Sequence, residues 1–133
     1  MPVRYHITAS SRLVLTECSG RVTVDQMLRN AKRLGSDPDF DSTFSELIDL
    51  HECSGTDAGL EHLRYFAEED DPFSPTNARR AVFASSQFAF GMARMYEAIW
   101  SEAANFAVFR TMEEACQWLG LEPSVLQHPG KLA

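Results

Sequence analysis

Residues 44–63, FSELIDLHECSGTDAGLEHL, pass from a short apolar run through a turn-rich patch into a helical repeat. Leu47-Ile48-Asp49-Leu50 has the length and aliphatic content of a strand buried on both faces, as in a parallel sheet under helices. Ser54-Gly55-Thr56 is expected to break that strand, and Leu60, Leu63 and Phe66-Ala67 recur at helical spacing between Asp57 and Glu69. A change from strand to helix within about six residues marks a βα unit. Asp49 and the patch Ser54 to Asp57 then belong at the carboxyl end of a central strand, where open α/β sheets hold their sites.

Toward the amino terminus, Ser36-Asp37-Pro38-Asp39 is an acidic, turn-rich linker that Phe40 and Phe44 anchor. Before it, Val24, Met27, Leu28, Ala31 and Leu34 give a helix an apolar stripe; Thr23 and Gln26 have capping-box spacing at its start, and Gly35 suits its stop. Val3 to Thr8 and Arg12 to Cys18 read as two strands of a hairpin, the second ended by Gly20. Toward the carboxyl terminus, Asp70 to Asn77 is a loop by composition, and Arg79 to Ala84 is a fourth strand. Ser85-Ser86 offers an N-cap for a helix whose inner face carries Phe88, Met92, Met95, Tyr96, Ile99, Trp100 and Ala103. Phe106 to Arg110 alternates as a short strand, and Thr111 with Glu114 begins a last helix over Met112 to Leu119, closed by Gly120. The order β-β-α-β-α-β-α-β-α predicts an α/β fold: a mixed, mostly parallel sheet with right-handed crossovers, covered by helices. One domain is expected over residues 1–122, with 123–133 as a C-terminal tail.

The 133 residues are 44% apolar and include nine Phe, a globular composition with enough chain to bury a core. A net charge of -7, with Arg79-Arg80 as no more than a pair, argues against nucleic acid. No window has the apolar length of a signal peptide core or a membrane span, so a soluble cytoplasmic protein is expected. Cys18, Cys53 and Cys116 show no CxxC pattern and fit reduced thiols. No phosphate loop, nucleophile elbow or recognised metal spacing is present, and no cofactor is expected.

The element order resembles the STAS domain of anti-sigma-factor antagonists and of the cytoplasmic tails of anion transporters. LIDLHECSGTDAGLEHL looks like that family's strand ending in Asp-Leu, a short loop, then Asp-Ser-Ser-Gly-Leu opening a helix, with Asp49-Leu50 and Gly59-Leu60 in place. Thr56 stands at the motif Asp and Asp57 at the first Ser. The serine phosphorylated in the switched members is here Ala58, which has no hydroxyl, so that mechanism does not carry over. A closer resemblance is to the SpoIIAA-like family of small bacterial proteins related to STAS domains. It rests on Ala81-Val82-Phe83, on Phe90-Gly91-Met92-Ala93-Arg94-Met95-Tyr96-Glu97, and on Val108-Phe109-Arg110, Glu113-Glu114-Ala115 and Trp118-Leu119. The resemblance implies a fold and a binding domain, with no generally established reaction.

Three sets of residues are candidates for a site. Helix starts at Ser54 to Asp57, Ser85-Ser86 and Thr111 are expected to gather at one sheet edge, where their amides and hydroxyls either hold an anion or simply cap. Phe88, Phe90, Met92, Met95, Tyr96 and Trp100 form an apolar wall that is either core alone or core with a cavity for a small apolar ligand. Arg94 either meets an acidic head group there or pairs with Glu97. Asp49, His51, Glu52 and Cys53 crowd one strand end, with His51 and Cys53 expected on a shared face; a thiol or hydrolase-like activity there is the thinner reading. The sequence therefore predicts a non-catalytic interaction module, self-associating or binding a protein partner through Ser54 to Leu60 and Phe90 to Trp100. A carrier or sensor of a small apolar or amphiphilic ligand is the alternative. A homodimer is expected on base rate.

Overall fold

The computed structural model describes residues 2–73, 78–99 and 105–122. Val3–Thr8 (β1) and Leu13–Val22 (β2) form the expected antiparallel pair, linked by a 3-10 turn at Ala9–Ser11. Val24–Ser36 (α1), Ser45–Thr56 (β3), Leu60–Tyr65 (α2), Arg80–Phe83 (β4), Gln87–Ile99 (α3), Phe106–Phe109 (β5) and Met112–Leu119 (α4) follow. The strands lie side by side in sequence order, and every neighbouring pair after the first is parallel. This is the mixed, mostly parallel sheet that the element order predicts.

Local chemistry sets the helix starts. Thr23 accepts from the Gln26 amide while the Gln26 side chain accepts from the Thr23 amide, so the capping box on α1 is complete. Ser86 accepts from the Ala89 amide at 3.0 Å and Thr111 from the Glu114 amide at 3.2 Å. Gly120, at φ 74°, ends α4 in the left-handed conformation that glycine adopts without a Cβ clash.

Two strand ends differ from expectation. Gly20 does not end β2; it takes φ 65° inside a strand that continues to Val22. Ser54-Gly55-Thr56 does not break β3, because Arg21 and Val22 of β2 pair with Gly55 and Thr56. A turn-like composition is thus overridden by ladder bonds to a distant segment. The following helix is shorter than the sequence suggests: α2 starts at Leu60 and passes after Tyr65 into a wider π-type turn, Phe66–Asp70.

Strands laid in sequence order with connections of one hand place α1, α2 and α3 on one face of the sheet. Val14, Leu34, Phe73, Val82, Ala93 and Phe106 form the core there. The opposite face is covered by α4, whose Ala115 and Cys116 pack on Leu13, Leu15, Leu47 and Ala81. Cys116 is fully buried and acts as a small apolar side chain. Residues 123–133, expected as a tail, lie outside the described residues.

Candidate functional site

The sheet face under α1 and α3 carries polar groups where alternation alone would place apolar ones. Val14 of β2 is in register with Glu46 of β3, Glu46 with Arg80 of β4, and Arg80 with Phe106 of β5, so these side chains stand in one row on one face. Arg80 donates from Nε at 3.0 Å and from Nη2 at 2.8 Å to Glu46 Oε1. Its Nη1 donates to Asp71 Oδ2 at 2.7 Å. Thr16 Oγ1 donates to Glu46 Oε2 at 2.7 Å, and the Tyr96 hydroxyl on α3 donates to Asp71 Oδ2 at 2.6 Å. The other Asp71 oxygen accepts from the Phe73 amide at 2.9 Å, which fixes the loop after the π-type turn. The rings of Phe73 and Phe106 lie 4.7 and 5.5 Å from the guanidinium carbon.

The cluster is buried: Glu46, Asp71 and Arg80 are 4%, 5% and 3% exposed. Burial raises the Glu46 pKa above the usual carboxylate range, with Asp71 adding to the shift and Arg80 and Thr16 opposing it. Burial, then Asp71, pushes the Tyr96 phenol upward, so it stays a donor. Burial works against the Arg80 charge, but Glu46 and Asp71 outweigh it and push its pKa up. The guanidinium is therefore held charged by its two carboxylates.

Beside this cluster lies a half-enclosed cavity of about 160 Å³, between the sheet and α1, α2 and α3. Ile48 and Leu50 sit on the middle strand yet are only half-buried, since they face this space. Met92 and Tyr96 of α3, Met27 and Asn30 of α1, and Phe66 close it, together with Glu46 and Arg80. Phe88 lines it while remaining 43% exposed, which puts the ring at the rim. An apolar cavity of roughly 150 Å³ is large enough for one benzene-sized molecule.

The candidate residues are only partly brought together. Met92 and Tyr96 line the cavity, and Phe90 packs partly buried against the main core with the Arg110 guanidinium 3.9 Å from its ring centre. Phe88 and Met95 do not share one inner wall: Ala89 and Ala93 take the buried face, which turns Met95 outward at 39% exposure. Arg94 does not reach the cavity; it is exposed and pairs with Glu97 at 3.3 Å, the spacing of neighbours on a helix surface. Trp100 and Ala103 lie outside the described residues.

The expected gathering of helix starts is only partial: Ser86 and Thr111 follow the paired ends of β4 and β5, where the Ala84 amide donates to the Phe109 carbonyl at 2.9 Å, but the patch from Ser54 to Asp57 is carried away from them. Asp49 pairs with Phe83 at the end of β4, but β3 runs on to Thr56, about 20 Å further at ~3.3 Å per residue. Ser54 is exposed on this extension, as Ser85 is beside the Ser86 cap. Thr56 accepts from the Ala58 amide, and Asp57 accepts from the Val24 amide at 2.8 Å, so Asp57 caps α1 rather than its own helix. His51 and Cys53 do not share a face. Between Glu17↔Asp49 and Ser19↔Glu52, and again between Gly20↔Cys53 and Arg21↔Gly55, β3 holds one more residue than β2, and these bulges reset the alternation. Leu50, Cys53 and Thr56 therefore line the cavity, while His51 stacks on Phe83 and meets Asp49 Oδ1 at 2.6 Å. That hydrogen bond is the main reason the His51 pKa lies above its ordinary value. Among the described residues no group of three or more His, Cys, Asp and Glu is placed to hold a metal.

Glu46, Asp71 and Arg80 were not legible as a site. Arg80 opens an apolar strand beside a second arginine, and Glu46 precedes Leu47, so each reads as a strand-edge charge until the register sets them opposite one another.

No protein-family model matches the chain, and no curated protein matches it. Among solved structures it is similar to an uncharacterised protein of the DUF3478 family, with a SpoIIAA-like fold, from Shewanella loihica. The TM-score is 0.50 at 20% identity, over 80% of this chain and 83% of that one. The fold is SpoIIAA-like. Among the described residues no helix is long and apolar enough to cross a membrane.

Proposed function

We propose that this chain is a non-catalytic cytoplasmic binding module whose cavity between sheet and helices holds a small apolar molecule. The observation that carries the reading is the uncovered middle of the sheet: Ile48 and Leu50 face a cavity walled by Met27, Phe66 and Met92. Exposed apolar surface on a central strand forgoes burial worth roughly 25 cal/mol per Å², which an apolar occupant recovers. Ligand pockets have this character, an apolar wall with a few fixed polar groups, here Glu46, Arg80 and Tyr96. The phosphoserine switch of related domains has no counterpart, because Ala58 lacks a hydroxyl.

Toluene is the test probe, followed by amide chemical shifts in the wild type and in Ala93→Leu, which places a larger side chain in the cavity wall. Shifts confined to residues around Ile48, Leu50 and Met92 in the wild type, and lost in the variant, are expected. Absence of shifts, or equal shifts in the variant, overturns the reading.

A second reading is self-association. Leu60 and Tyr65 on α2 and Phe88 and Met95 on α3 are 46%, 62%, 43% and 39% exposed, and these helices are neighbours. Exposed apolar side chains on neighbouring helices suit a protein contact. Sedimentation of the wild type and of Met95→Lys tests it: a dimer that the lysine dissociates supports it, and a monomer at all concentrations removes it.

A further inference from the structure

Asn30 lies on α1 at a position where the apolar stripe of Met27, Ala31 and Leu34 predicts another apolar residue. It is 8% exposed, lines the cavity, and its Oδ1 has no hydrogen-bond partner. A buried amide oxygen without a partner costs folding free energy, whereas an apolar residue of similar size would not. Nothing in the packing of α1 hydrogen-bonds the amide, and the side chain borders the cavity, where a half-turn about its terminal bond would bring the oxygen to a bound molecule.

Resting on the cavity reading above, we infer that the ligand is an uncharged, ring-sized molecule bearing a hydroxyl, held by Asn30, and that the matching carboxylate is rejected. An amide presents either its carbonyl or its NH2 after half a turn, and a hydroxyl both donates and accepts, so it satisfies either. An anion finds no such welcome. Among the described residues lining the cavity the cation is Arg80, which already donates to Glu46 and Asp71. Two carboxylates face that single guanidinium, so a carboxylate entering beside them would be desolvated with no countercharge to meet it. The size follows from the volume of about 160 Å³, which suits a six-membered ring and a short substituent.

The test is titration calorimetry of the full chain with toluene, benzyl alcohol and benzoate, in the wild type and in Asn30→Leu. Because the leucine removes an unpaired buried amide, the variant should fold; Asn30→Ala provides the same comparison with a side chain that cannot overfill the site. Expected is a roughly tenfold weakening of benzyl alcohol in both variants with toluene held or tightened, and benzoate weakest of the three in the wild type. Parallel changes for toluene and benzyl alcohol, no change for either, or benzoate as the tightest ligand overturns the inference while leaving the cavity reading in place. Failure of all three probes to bind the wild type overturns both.

Discussion

At the scale of single residues, the guanidinium of Arg80 is the group on which most depends. Removing it leaves Glu46 and Asp71 buried with their charges uncompensated, which costs about 3–5 kcal/mol for a broken buried pair. Arg80→Met should therefore lower the urea midpoint steeply, whereas Arg80→Met combined with Glu46→Leu should recover part of the loss. A double variant no more stable than the single one would show that Glu46 is not penalised by the missing cation. His51 gives the second residue-level expectation. Its folded pKa is raised, chiefly by the hydrogen bond to Asp49, so charged His51 stabilises the fold. That contribution is complete below the unfolded value of about 6.5 and is lost as pH rises through the higher folded value. The imidazole signals should titrate above the ordinary range in the wild type and within it in Asp49→Asn; identical curves would contradict the assignment. Asp49 and His51 stood out in the sequence because they are polar residues two positions apart at an expected strand end. Glu46, Asp71 and Arg80 did not, since long-range register rather than spacing brings them together.

At the scale of elements, the parts with local codes were legible. The capping pairs Thr23 with Gln26 and Thr111 with Glu114, the Ser86 cap and the Gly120 stop each act within a turn or two of chain, and each forms as its sequence indicates. The long arm of β2 and β3 was not legible, because Gly20 and Ser54-Gly55 have the composition of turns and are held within the strands by pairing with each other's strand. Asp57 shows the same separation of cause from position. Within the sequence it belongs to the start of the following helix, but the β3 extension carries it to the amide of Val24, where an acidic side chain also suits the positive end of α1. Asp57→Ala should cost about 1 kcal/mol, as cap removals do. Hydrogen exchange should locate the loss: faster exchange at the start of α1 is expected, and faster exchange confined to α2 would refute the assignment.

For the whole molecule, the strand order explains why a cavity forms on one face and not on the other. With the parallel strands in sequence order, α1, α2 and α3 all cross the same face, and the short α2 with its π-type turn leaves the middle strand incompletely covered. Binding in that cavity and self-association through α2 and α3 then predict different dependences of thermal stability. A ligand that binds only the folded chain stabilises it by RT ln(1 + [L]/Kd), about 2.7 kcal/mol at a hundredfold excess over Kd. For 133 residues that corresponds to a Tm increase on the order of 10 °C. With the toluene-sized probe this increase should follow ligand concentration, be independent of protein concentration, and vanish in Ala93→Leu, whose added side chain occupies the site. A dimer stabilised through Phe88 and Met95 gives the opposite pattern, with Tm rising with protein concentration and unaffected by probe. Calorimetric scans over a range of protein and toluene concentrations, in the wild type and in Ala93→Leu, therefore separate the two. A Tm that responds to neither variable would remove both, because each requires a folded-state equilibrium that mass action must move.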